Sequence, residues 1–138
     1  MKRFLKCFVY AFRGIVFCLA NERNMREHLC FTVYMFGYLT VYDFFDVSRT
    51  GFAVLFALCA LVMSLEAVNT AVERAVDLTA KGEISPLAKV AKDSCAGAVL
   101  ISAIAAVAAG IAMLWQPEAF KAMFEFTRQI SPSLYCCS

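Results

Sequence analysis

Histidine, proline and tryptophan are scarce in these 138 residues, with one His, three Pro and one Trp. A lone His28 cannot by itself supply a histidine-based metal centre. None of the six glycines is followed by Lys, and no G-x-G-x-x-G occurs, so the familiar phosphate-cradling loops are absent. The seven cysteines (Cys7, Cys18, Cys30, Cys59, Cys95, Cys136, Cys137) are odd in number, scattered and free of any C-x-x-C pair. Neither a zinc site nor a disulfide framework is indicated, and most of them read as small apolar fillers. Cys136 and Cys137 could pair between chains. Charge is sparse, at 17% of residues and net +2, and no nucleic-acid partner is expected. Nor is a cleavable signal peptide, because Arg13 interrupts the apolar stretch 8–20.

What the chain has in abundance is apolar side chains. They make up 62% of residues with a mean hydropathy of +0.69, against roughly 45–50% in an ordinary soluble domain. The excess lies in blocks, the pattern of a polytopic membrane protein of one domain and about three spans. Such a chain has no room for a soluble catalytic domain, so any chemistry belongs at or within the membrane helices.

One stretch breaks the apolar pattern. Glu66, Asn69, Glu73 and Asp77 follow an uncharged run, residues 50–65. On a helix at about 100° per residue, these four fall within roughly 80° of one another. Three carboxylates and an amide thus form a polar stripe on an otherwise apolar helix. Each central ionisable group costs on the order of 2.5–3.5 kcal/mol in lipid, so a cation, whether a metal, Lys or Arg, is expected to meet the stripe. The structural alternative is hydrogen bonding between helices of a bundle.

Around this stretch, Lys2, Arg3, Lys6, Arg13, Arg23 and Arg26 interleave with apolar residues at 3–4 spacing, which predicts an amphipathic helix in the membrane interface. A dense polar patch follows at 21–28. Residues 29–47 are long enough for a first span, with Asp43 and Asp46 at the far interface. Residues 48–51 read as a turn. A second span covers 51–78, with the stripe in its last third. Residues 81–86 form a loop, and Ser85 before Pro86 predicts a hydroxyl-capped helix start. The third span and its lead-in occupy 86–115, ending at the interfacial Trp115. Residues 116–138 read as a weakly amphipathic tail. Gly and Ala in the third span permit close helix packing. Basic residues concentrate in the N-terminal segment and around the loop between spans two and three (Arg74, Lys81, Lys89, Lys92), which places both in the cytoplasm.

Glu22, the stripe and the Lys92-Asp93 pair then share one side of the membrane. Glu22, Glu73 and Asp77 offer hard oxygens to a magnesium ion, which typically takes one or two carboxylates and completes its shell with water and phosphates. Lys92 and Arg26 could hold phosphate oxygens. Glu66 lies nearer the hydrocarbon, where partial desolvation makes a carboxylate a better base. This arrangement suits phosphoryl transfer to a membrane-dissolved alcohol. On the residues alone, a carboxylate-lined ion or proton pathway and a small transport or assembly subunit stay open beside it.

The run Glu66-Ala67-Val68-Asn69-Thr70-Ala71-Val72-Glu73-Arg74-Ala75-Val76-Asp77, followed by Pro86-Leu87-Ala88-Lys89-Val90-Ala91-Lys92-Asp93-Ser94-Cys95-Ala96-Gly97-Ala98-Val99-Leu100-Ile101, closely resembles the small prokaryotic diacylglycerol kinase/undecaprenol kinase family. The resemblance covers roughly residues 1–115 and includes Asn21-Glu22-Arg23-Asn24-Met25-Arg26. It implies an all-α integral-membrane lipid kinase, with an interfacial N-terminal helix and three spans, in the bacterial plasma membrane. It further implies homotrimers with sites between subunits, and ATP and Mg2+ as phosphoryl donor and metal. Carried over, Glu66 resembles the catalytic base, Asn69 the amide that orients Glu66 or the lipid acceptor, and Glu22 and Glu73 the metal-binding carboxylates. Asp77 resembles a polar partner near the nucleotide, and Lys92 and Asp93 the pair beside its phosphates. Arg3, Tyr10, Arg13 and Gly14 match more loosely where the N-terminal helix approaches nucleotide or lipid. The Glu22-Arg23-Asn24-Met25-Arg26 run is similar to the Gram-positive-type branch, which implies undecaprenol as acceptor, with diacylglycerol as the alternative. Ser85 stands where many relatives have His, and Cys95 where Ala is usual.

Overall fold

The computed structural model describes residues 2–41, 47–80 and 85–134. They form five α-helices in chain order: α1 Lys2–Asn21, α2 Arg23–Val41, α3 Arg49–Ala80, α4 Pro86–Leu114 and α5 Pro117–Leu134. No strand occurs among the described residues, in keeping with the all-α expectation. α3 is the axis: it packs most extensively on α4, less on α2, and least on α1. At 1.5 Å per residue its 32 residues run about 48 Å, well beyond the ~30 Å of bilayer hydrocarbon.

Lateral packing within one chain is thin. The buried apolar residues are Cys18, Met25, Leu39, Leu55, Val62 and Val99, while Phe31, Tyr34, Phe56, Leu100, Ile104 and Ile111 are exposed. Apolar surface of that extent is stable in lipid, not in water. Phe36 of α2 packs against Phe52 and Phe56 of α3, with ring centroids 6.1 and 6.0 Å away. Neither glycine of α4 is needed for its approach to α3: a Cβ on Gly97 would meet nothing within 4 Å, and one on Gly110 only Leu55 at 3.9 Å.

Length and hydropathy make α1, α3 and α4 able to cross a membrane. The predicted interfacial helix is therefore apolar enough to qualify, whereas α2, expected to be the first span, does not. The first turns of α2 hold Arg23, Arg26 and Glu27, and residues 42–46 of the expected span, with Asp43 and Asp46, lie outside the described residues. The distribution of charge separates the two helices. Arg3, Lys6 and Arg13 share one side of α1 opposite Phe4, Phe8, Phe12 and Leu19, as an interfacial helix requires. From Leu29 onward α2 is uncharged on every side.

The turn expected at 48–51 and the hydroxyl cap expected at Ser85 are corrected, and the polar patch and the tail gain detail. Residues 48–51 are the start of α3, not a turn: Ser48 Oγ accepts from the Gly51 N–H at 3.1 Å and its carbonyl from Phe52 at 3.0 Å, an N-cap. The polar patch at 21–28 is mostly the beginning of α2, and only Glu22 stands outside a helix. Arg23 and Glu27, four apart and 2.7 Å from each other, support that start. Ser85 is the N-cap of α4 with Pro86 following, yet its hydroxyl makes no capping bond. Its carbonyl accepts from Lys89 at 3.1 Å instead. The tail is an 18-residue helix, with charged Glu118, Lys121, Glu125 and Arg128 at 3–4 spacing. Cys136 and Cys137 lie outside the described residues.

Candidate active site

The polar stripe forms on α3 as its spacing requires. Glu66 follows Arg49 by about 26 Å along the helix at 1.5 Å per residue, a rise close to the ~30 Å thickness of bilayer hydrocarbon. Glu66, Asn69 and Thr70 are buried, at 3%, 7% and 3% exposure. The Thr70 hydroxyl donates to the Glu66 carbonyl at 3.0 Å, so its proton is used within the helix. Asn69 Nδ2 donates to Glu73 Oε1 at 3.0 Å, one turn on. Asn69 Oδ1 is buried with no hydrogen-bond partner. The Glu66 carboxylate likewise forms no hydrogen bond among the described residues.

Two further pairs bring other elements to this end of α3. Glu22, at the break between α1 and α2, accepts from Arg74 Nη2 at 2.9 Å. The Arg74 guanidinium also lies over the Phe17 ring, 5.7 Å from its centroid. The break itself is pinned. The Glu22 N–H donates to the Cys18 carbonyl at 2.8 Å. Arg26 Nη1 donates to the Leu19 and Ala20 carbonyls at 3.2 and 3.0 Å. Arg26, a candidate for phosphate from sequence, thus satisfies carbonyls that the end of α1 leaves open. Asp77 and Lys92 form an ion pair between α3 and α4. Asp93 beside it is exposed. Arg3, Tyr10 and Arg13 are exposed on α1 and form no hydrogen bond or ion pair among the described residues.

Five predicted residues are therefore paired, as Glu22–Arg74, Asn69–Glu73 and Asp77–Lys92, with Glu66 one turn deeper, whereas the α1 residues and Asp93 stand apart. Arg74 is the member that sequence reasoning missed. It reads as one more basic residue of a cytoplasmic loop, and its partner is 52 positions away.

Among the described residues, no three His, Cys, Asp or Glu side chains converge as a metal site. Magnesium does not require that, since it usually takes one or two protein carboxylates together with phosphates and water. Glu22 and Glu73 are hard donors of the right kind, and the orphaned Asn69 Oδ1, on the residue hydrogen-bonded to Glu73, is a third hard oxygen. The donor set fits the ion.

Ahead of the stripe on α3 lies an apolar groove of about 780 Å³, floored by Leu55, Leu58, Cys59 and Val62 of α3 and walled by α2 and α4. His28, Met35, Leu39, Val62 and Gly110 line it, and Phe120 and Met123 of α5 close one end. Val62 precedes Glu66 by one helical turn, so the groove leads toward the buried carboxylate.

The Prokaryotic diacylglycerol kinase family matches residues 9–114. The chain belongs to the prokaryotic diacylglycerol kinase family. It is similar to a diacylglycerol kinase of Synechocystis, 42% identical over 113 residues, covering 82% of this chain and 63% of that one. The chain thus spans somewhat under two thirds of that relative's length. It is 37% identical over 113 residues to an undecaprenol kinase of Bacillus subtilis, covering 80% and 87% of the two chains. Over 106 residues it is 34% identical to a diacylglycerol kinase of Helicobacter pylori, at 75% and 77% coverage. As a member of this kinase family the chain is a membrane lipid kinase. The stretch that matches the prokaryotic diacylglycerol kinase family holds Glu22, Glu66, Asn69, Glu73, Asp77, Lys92 and Asp93, and leaves Arg3 and all of α5 outside.

Proposed function

We propose that the chain transfers the γ-phosphoryl group of ATP to the hydroxyl of undecaprenol, with Mg2+ as metal, as a homotrimer in the bacterial plasma membrane. One observation carries this reading. Glu66, a residue only 3% exposed, lies on α3 one helical turn beyond Val62, the last α3 residue lining the apolar groove, and two turns short of Glu73. A lipid chain in the groove brings its head-group hydroxyl to Glu66, while a polar nucleotide belongs at the Glu73 and Lys92 end.

Glu66 accepts the hydroxyl proton as the lipid oxygen bonds to the γ-phosphorus. The bond from that phosphorus to its bridging oxygen breaks, and ADP leaves. Asn69 turns its free Oδ1 toward the acceptor hydroxyl or a bound cation. Lys92 offsets negative charge on the transferring group. Asp77 holds Lys92 in place, and Asp93, Arg3, Tyr10 and Arg13 extend the nucleotide side. Glu22 and Glu73 would hold Mg2+, which when bound neutralises phosphate charge and orients the phosphates. Exposed Val54, Leu61 and Val68, seven residues apart on α3, give further copies an apolar face to pack on. The basic N-terminal helix and the basic residues around the α3–α4 connection favour the cytoplasmic side for both.

Diacylglycerol is the second reading, favoured by the names of the Synechocystis and Helicobacter relatives. Transfer from labelled ATP to undecaprenol and diacylglycerol, side by side in detergent micelles with magnesium, tests the choice. Preference for undecaprenol supports the first reading. Preference for diacylglycerol replaces the acceptor and keeps the mechanism. Transfer to neither overturns both.

A further inference from the structure

Glu22 and Glu73 are the two carboxylates assigned to a divalent cation, and each already has a partner. The partner of Glu73 is neutral: the Asn69 amide at 3.0 Å. The partner of Glu22 is a cation: Arg74 Nη2 at 2.9 Å. We infer that Arg74 is a resident counter-ion that occupies Glu22 in the metal-free protein and must leave it for a divalent cation to bind. It competes with the metal rather than helping to hold it. The inference rests on the carboxylate-metal reading above.

The geometry favours exchange over sharing. The Glu22 side chain is 22% exposed and comes from the one residue between α1 and α2 that is outside a helix. That backbone is pinned by Arg26 and by the Glu22 N–H bond to Cys18, so the carboxylate has little freedom to serve two cations at once. Arg74, at 59% exposure, is the movable partner. A metal bound to an oxygen at about 2.0–2.1 Å places a double positive charge against a guanidinium at hydrogen-bond distance. Arg74 has somewhere to go: its guanidinium already rests on Phe17, a contact that persists without Glu22. Glu73 and Asp77, also within electrostatic range of Arg74, hold it near the site.

The test is Mn2+ binding to the full chain in micelles without nucleotide, read from the free-ion electron paramagnetic resonance signal. It compares wild type, Arg74→Gln, Glu22→Gln and the double variant. Arg74→Gln is expected to bind Mn2+ about two- to fivefold more tightly, the range an exposed ion pair supports. That gain disappears in the Glu22→Gln background. Arg74→Lys keeps the charge and is expected to bind as wild type does, which separates competition from any folding defect. Unchanged or weaker binding by Arg74→Gln, with wild-type binding still dependent on Glu22, overturns the inference and leaves the metal reading standing. No Mn2+ binding by any of these proteins overturns the metal reading, and this inference with it.

Discussion

Asn69→Leu separates what the polar stripe does for folding from what it does for chemistry. In the wild type, Asn69 makes one hydrogen bond to the Glu73 carboxylate, at 3.0 Å and partly buried. A bond to a charged group contributes about 1.5–3 kcal/mol. The same amide carries a buried oxygen with no partner, which costs about 1–3 kcal/mol. Leucine removes both terms at similar volume, so they nearly offset and stability should change by less than about 1 kcal/mol, a few degrees in Tm for a chain of this size. Turnover should respond very differently. Losing a polar group positioned at the reacting centre costs about 10²–10³ in rate. The assay pairs lipid phosphorylation in micelles with thermal unfolding followed by the fluorescence of the lone Trp115. A variant turning over within threefold of wild type would refute the assignment of Asn69 to the site. A fall in Tm of more than about 10 °C would show that the amide is bundle glue, with its oxygen satisfied by another copy.

Lys92→Met should keep the apolar stem and lose the cation. Because both partners of the Asp77–Lys92 pair are partly exposed, stability should fall by under about 1 kcal/mol. Transfer should slow by about 10²-fold or more, as measured by kcat at saturating ATP. Phe120→Asp with Met123→Asp puts two carboxylates on the face of α5 that closes the groove. This should expose the segment after Trp115 to limited proteolysis. Activity should fall by about tenfold or more, because the new carboxylates stand in the groove assigned to the lipid chain; activity within about threefold of wild type in a folded core would place the lipid elsewhere. Ser48→Ala removes the α3 N-cap and should cost about 0.5–2 kcal/mol in unfolding experiments.

The long elements were legible because periodicity and composition act within a single helix. Spans expected at 51–78 and 86–115 correspond to α3 Arg49–Ala80 and α4 Pro86–Leu114. Misreadings fell where short polar runs resemble loops. Residues 48–51 carry Ser, Arg, Thr and Gly, turn residues that serve equally as a cap and first turn. The Arg23–Glu27 spacing was a readable helix signal inside the polar patch, and so was the 3–4 spacing of charges in α5. Of the site, Glu66, Asn69, Glu73 and Asp77 share a face by helical geometry alone. The pairing of Glu22 with Arg74 did not follow, because it depends on how α1 folds back toward α3 across 52 residues. The use of Arg26 on α1 carbonyls was hidden for the same reason: a charge in sequence does not reveal which unsatisfied group it will meet.

The central claim is that Glu66 takes the proton from a lipid hydroxyl as phosphate is transferred. Glu66→Gln keeps the shape of a side chain that is 3% exposed and removes only its basicity. With labelled ATP, saturating magnesium and lipid acceptor in micelles, the variant should incorporate label into lipid about 10²–10⁴-fold more slowly than wild type, with unfolding temperature and Mn2+ binding unchanged. Turnover within a few-fold of wild type would contradict the account.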